Sequence, residues 1–455
     1  MAYNFHPCDR NQLMLMPPSL EEWLEEGHLA RFVVDAVEAM DLEVLYRKYR
    51  EDGIGNTAYD PSRMTGVLLY GYCMGIRSSR RMEQLLEQDV AFRYLASNQQ
   101  PDHATLARFR QENEKELEGL FIEVLRLCAK AGLVKVGVVA VDGTKIKAQA
   151  ALEANRTMEG IEKEVKKMLR EAAEVDEAED KKYGKDSRGD ELPEGLRSSA
   201  ERKKRLKECK QRLEEEAEEA KEAQKEKIAQ RAKEEEESGE KKRGRKPLEP
   251  EDVVDREAKA NITDPESRIM KTRKGYAQGY NAQAVVTKEQ IIVAAEVTQE
   301  ENDVNQLRPM MEQMGKTLKT VGVKEKVKTK LADAGYGMSE ESLEWALRQK
   351  TLFLICTQKD WKQRQAERLR ALPRGPIPQG LTAKERMERR LLISRGRRLY
   401  KMRSWMVEPV FGQIKEGQGF QRFSRRGKKA AQSEWKFQAA SHNLLKLWRS
   451  GKNWN

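Results

Sequence analysis

The sequence predicts an α/β fold, a mixed sheet flanked by helices, with an all-α N-terminal domain and an inserted helical hairpin. Three observations predict it. An apolar strand over Val138–Val141 and a second strand pattern over Lys328–Ala332 each end in an acid, Asp142 and Asp333, as strands do where a sheet stops. Residues 1–130 keep apolar side chains at helical spacing. Residues 153–252 are dominated by Glu, Lys, Ala and Arg. The chain has 455 residues, enough for two or three domains, and 35% are charged against 6% aromatic. That balance is too polar for one globule and requires an extended or solvated segment.

In residues 1–130, Ser19 and Glu22 form a predicted capping box. Phe32, Val33, Ala36, Val37 and Met40 continue that helix. Pro61 starts another, through Val67, Leu68, Tyr70 and Cys73. Arg77, Arg80 and Arg81 mark a basic turn, and Asp102 caps a helix carrying Arg108 and Arg110 near its start. Short helices with arginines near their starts suit a helix-turn-helix-like DNA reader. A plain bundle with surface arginines is the alternative.

Val138–Val141 predicts a buried strand, with Asp142 emerging where it stops. In the insertion, Ile161, Val165, Met168, Ala172 and Val175 form a narrow helical seam. Leu206, Leu213, Ala217, Ala220 and Ala223 form a weaker second one, and Gly184, Gly189, Pro193 and Gly195 lie between. The pattern predicts an antiparallel, solvated hairpin over 153–252. Lys241–Pro247 resembles a minor-groove arm, with a basic linker as the preferred reading.

Strand patterns return after Asn261. Gly279–Thr287 and Ile291–Thr298 predict an antiparallel hairpin turning at Lys288–Gln290. A helix over Val304–Met314, a strand over Lys328–Asp333, a helix over Glu340–Gln349 and a strand over Thr351–Cys356 follow. Residues 360–400 are basic and broken by Pro373, Pro376 and Pro378. Glu408–Lys415 and Ser433–Trp448 predict the last helices. Residues 131–152 and 253–455 are thus assigned to one catalytic domain.

Charge is uneven. Between Gln358 and Asn455 fall 25 Lys and Arg against 7 Asp and Glu, a net +18, while the whole chain carries +11. A basic block beside an acidic remainder points to a polyanion, most simply nucleic acid. Five scattered cysteines form no CxxC pair, which fits a reducing cytoplasm and excludes zinc fingers and a disulfide framework. No stretch is apolar enough to cross a membrane, and no basic-then-apolar leader opens the chain.

The predicted order is close to that of a ribonuclease-H-like fold. Neighbouring strands would bring Asp142 and Asp333 together, and Glu408 would complete three carboxylates from the start of a helix, with Pro409 in its first turn. Hard divalent ions take such ligands, and two of them about 3.5–4 Å apart serve phosphoryl transfer. Lys415, two turns on, could hold a DNA backbone. Asp303 reads as a helix cap, with support of the site as the lesser alternative, and Asp264 as a cap or turn.

These residues carry a resemblance. Val141–Lys145, Thr263–Arg268, Gly279–Gln283, Asp333–Tyr336 and the set Tyr400, Arg403, Glu408 and Lys415 resemble DDE transposases of bacterial insertion sequences, in the group with a Tyr/Arg/Glu/Lys signature on the late helix. One departure is the spacing from Arg403 to Glu408, with four intervening residues where the group has three. The resemblance implies that Asp142, Asp333 and Glu408 bind Mg²⁺, or Mn²⁺ in its place. It also implies that Tyr400, Arg403 and Lys415 contact DNA. The enzyme would free a 3′-hydroxyl at an element end and join it to target DNA, as a homodimer on double-stranded DNA, in the bacterial cytoplasm at the nucleoid. A nuclease of the same fold, or an inactive DNA-binding derivative, are the alternatives.

Overall fold

The computed structural model describes residues 19–49, 58–167, 194–238, 247–253, 258–272, 275–358 and 380–454, with single positions at 365, 373, 375 and 378. The basic run 241–246, residues 168–193 of the predicted hairpin and most of residues 359–379 lie outside the described residues.

Every regular element described between 19 and 130 is helical: α1 (Leu29–Glu38), α2 (Pro61–Cys73), α3 (Ser79–Gln88), α4 (Val90–Leu95), α5 (His103–Glu112) and α6 (Glu114–Lys130), besides two short turns. Asp60, Ser78, Asp89 and Asp102 accept first-turn N–H groups of α2, α3, α4 and α5, which fixes where each begins. Ser19 corrects the expectation. It opens only a single 3₁₀ turn, Leu20–Trp23, and the α-helix starts at Leu29 behind a His28 cap.

The main sheet contains β1 (Val138–Lys147), β4 (Arg268–Thr272), β5 (Gly275–Thr287), β6 (Ile292–Thr298), β7 (Thr329–Ala332) and β8 (Leu352–Ile355). Its order is β4-β5-β1-β7-β8, with β6 also on β5. β1 runs antiparallel to β5 and parallel to β7, and β7 parallel to β8. The predicted hairpin at 288–290 is present, with Gln290 in the left-handed region (φ 63°).

A second, two-stranded sheet pairs β2 (Asn155–Thr157) with β3 (Lys259–Asn261) and closes the base of the insertion. From it rises α7 (Glu194–Ser238), 45 residues long. Ile161 packs with Leu206, Cys209, Leu213, Ala260 and Ile262 in a small separate core.

The helices α8 (Leu307–Val321), α9 (Glu340–Arg348), α10 (Ala383–Leu392), α11 (Ser394–Gly412) and α12 (Lys428–Arg449) cover the main sheet. Residues 383–407, expected to be irregular up to 400, are mostly helical. α11 begins at Ser394, not at Glu408, and Pro409 lies inside it. One hydrophobic core runs from Leu29 to Leu447, so α1–α6 and the sheet share a single interior. Polar ties reinforce this junction: Ser433 Oγ donates to the Glu114 carbonyl at 2.7 Å, and Lys436 pairs with Glu118 at 2.9 Å.

Candidate active site

Val139, Ala140 and Val141 are buried, which anchors β1 in the middle of the sheet. The strand does not stop at Asp142, as expected, but continues to Lys147, because β5 pairs with it along the whole length. What stops is its other neighbour. The parallel ladder ends at Val141↔Ala332, so Asp142 and Asp333 are the next residues on two adjacent strands. Beyond that point β1 is flanked instead by the 415–423 segment. Lys415 Nζ donates to the Lys145 carbonyl at 2.9 Å, and Phe423 N donates to the Lys147 carbonyl at 2.8 Å.

Two carboxylates set side by side in a half-buried place repel, and a cation offsets that. Arg403, 7% exposed, donates from Nη2 to Asp142 Oδ2 at 2.9 Å and lies 3.6 Å from Asp333 Oδ2. Burial pushes the Asp142 carboxyl up to about 7. Arg403 and the Gly143 N–H oppose that rise, while Asp333 and Asp303 add to it.

For Asp303 it is the lesser sequence reading, support of the site, that the contacts favour over the helix cap. Its carboxylate caps no helix; only its carbonyl accepts from Gln306 N, at 3.1 Å. Asp303 Oδ1 accepts from Asn281 Nδ2 at 2.8 Å and Gln283 Nε2 at 2.6 Å. Tyr336 Oη donates to Gln283 Oε1, which sets the direction of that amide. Gly143 lies opposite Gln283, and a Cβ there would come within 2.5 Å of Asp303 Oδ1. The signal was present: Asn281 and Gln283 are two amides on one face of an otherwise apolar strand. Asp264 is also inward, and accepts from Tyr280 Oη at 2.8 Å.

Glu408 is not brought to this pair. It is exposed, whereas Arg403 on the same helix is buried. Five residues apart, at about 100° each, the two point roughly 140° from one another. Tyr400, one turn before Arg403, is half-buried. Arg108 is exposed, but Arg110 turns inward and donates to the Arg77 carbonyl at 2.9 Å and to Ser79 Oγ. Arg77 in turn donates to the carbonyls of Gly419 and Arg422.

Among the described residues no group of three or more His, Cys, Asp or Glu side chains could hold a metal ion. Two carboxylates do fit Mg²⁺, which is held by one or two of them together with substrate phosphates. Arg403, a cation already seated between Asp142 and Asp333, marks the position as one that accepts positive charge.

Two families match the chain: Transposase domain (DUF772) over residues 18–112 and Transposase DDE domain over residues 239–444. The second begins 97 positions after Asp142 (239 minus 142), and the β1–β7 ladder joins that acid to it. Comparison with curated proteins found no match, and neither did comparison with solved structures. The chain carries a DDE transposase domain and is an enzyme of the DNA-cutting and DNA-joining class. No helix among the described residues is long and apolar enough to cross a membrane.

Proposed function

We propose that this transposase cuts the ends of an insertion sequence with water and joins the freed 3′-hydroxyl to target DNA. The observation that carries the reading is the Asp142–Asp333 pair at the end of the parallel ladder, bridged by Arg403. The strand order, antiparallel at β5–β1 and parallel at β1–β7–β8, supports a ribonuclease-H-like catalytic domain. Asp142 and Asp333 would hold Mg²⁺ with the DNA phosphate, and Glu408 would be the third carboxylate once DNA is bound. Divalent ions supply activation of the attacking oxygen and stabilisation of the leaving one. Arg403 holds the two aspartates together in the DNA-free protein. Tyr400 on α11, Lys415 in the turn that follows it and Arg108 on α5 would lie along the DNA backbone, at half-buried and exposed positions. No covalent protein–DNA intermediate is needed. Pairing of two ends calls for a dimer on DNA.

The test is strand transfer from a labelled duplex carrying the terminal repeat that flanks the gene, with Mg²⁺ and a plasmid target. Joined products are expected. Asp142→Ala and Asp333→Ala should lose more than about 100-fold, beyond the loss of an outer-shell partner. Cutting without joining would replace the reading by a nuclease. Full activity in either variant would remove the residue from the site.

A further inference from the structure

Lys145 lies three positions after Asp142 on β1, where β7 no longer flanks the strand. By the two-residue alternation of a strand it shares a face with Gly143, and it is paired with Asn281 in the β1–β5 register. Its Nζ is buried and has no hydrogen-bond partner among the described residues. The carboxylates that act on it are Asp303, Glu301, Asp333 and Asp142, in falling order. Among the described residues none of them closes an ion pair with it. The neighbouring Lys415 differs, since its ammonium is already bonded to the Lys145 carbonyl.

An ammonium carries three donors, and leaving them unmade inside a protein costs stability. A phosphate oxygen satisfies such a group. Phosphodiester DNA brought to Asp142 and Asp333 would arrive where the β7 ladder ends, beside the stretch of β1 that holds Lys145 and is flanked by the 415–423 segment. The lysine stem is long and flexible enough to carry its charge to that edge.

We propose that Lys145 is a DNA-contacting residue of the active site, whose unpartnered ammonium takes a non-bridging oxygen of a phosphate next to the scissile bond. The inference rests on the transposase reading. It gives the Asp142-Gly143-Thr144-Lys145 stretch two roles, with the acid for the metal and the base for the backbone. The competing role is structural, an internal counter-charge to the four carboxylates.

The experiment measures binding of the terminal-repeat duplex over a range of salt concentrations, together with the thermal midpoint, for wild type and Lys145→Met. The expected result is a salt slope shallower by about 0.9, the loss of one phosphate contact, with a raised midpoint because a buried unpaired charge is gone. Lys145→Gln gives the same reading if the Met variant does not fold, and Lys145→Arg should restore the slope. An unchanged slope overturns the inference, whatever the midpoint does. A wild type that shows no salt-dependent duplex binding overturns the transposase reading, and the inference with it.

Discussion

β1 and α7 are held in opposite ways. β1 is paired on both edges up to Val141, and Val139, Ala140 and Val141 are fully or almost fully buried. α7 is 45 residues long yet buries Leu206, Cys209 and Leu213 near its base, while Ala223, Ala229 and Ala232 are exposed. Pairs four residues apart, such as Arg231–Glu235, run along its outer length, while beside that small core Glu216 also pairs with Arg268 and Arg212 donates to the Pro265 and Lys259 carbonyls. Burial on both faces sets register, which is what brings two carboxylates to adjacent positions. Pairs along one helix stabilise that helix without placing it against anything.

The comparison can be broken most severely at the base of α7. Leu206→Ala empties the small core and should cost about 2–5 kcal/mol locally. Hydrogen exchange should rise in 155–167 and 204–216 and stay unchanged in β1. Loss of protection in β1 as well would show that the two regions unfold together.

In the sheet, pH is the next lever. The folded Asp142 carboxyl lies near 7, above the ordinary 3.8, so it binds its proton more tightly when folded. Stability from this group is complete below about pH 4 and is lost as pH rises towards about 7, by something on the order of a few kcal/mol. Metal-free protein melted across that range should therefore show a declining contribution, and Asp142→Asn should flatten it. Identical profiles for the two proteins would refute the shift.

Gly143→Ala tests the crowding behind the acid pair. The new Cβ would stand 2.3 Å from Gln283 Nε2 and 2.5 Å from Asp303 Oδ1. Overpacking of this kind costs about 1–3 kcal/mol, read as a lower urea midpoint. The smallest effect is expected on the arm. Arg231→Ala removes the pair with Glu235 and should shift stability by about 0.5 kcal/mol or less. A large loss there would mean that α7 is held by charge after all.

The strands were legible because alternating burial leaves a period in the sequence. Lys328–Asp333 and the hairpin at 288–290 could be read within a residue or two. The helix carrying Glu408 could not. Its start at Ser394 depends on packing against α10, β1 and β7, and Pro409, a good reason to begin a helix, is tolerated inside this one. Asp303 was given the site role only as the lesser reading for a related reason. A carboxylate before a helix looks like a cap, and only tertiary contact with Asn281 and Gln283 makes it part of the site. Arg403 was named from its motif, but its ion pair with Asp142 spans 261 positions and has no local trace.

The pairing of β2 with β3 bears on how the chain finds its fold. Asp142 and Asp333 are 191 positions apart (333 minus 142), and the stretch from Asn155 to Asn261 accounts for 106 of them (261 minus 155). Once three residue pairs and a six-residue core have closed that stretch, it acts as a side loop. The remaining search between the two acids is then that of a much shorter chain, and loop entropy grows only slowly with what hangs outside it. The insertion can lengthen or shrink without moving the acids, as a branch can grow without lengthening the trunk.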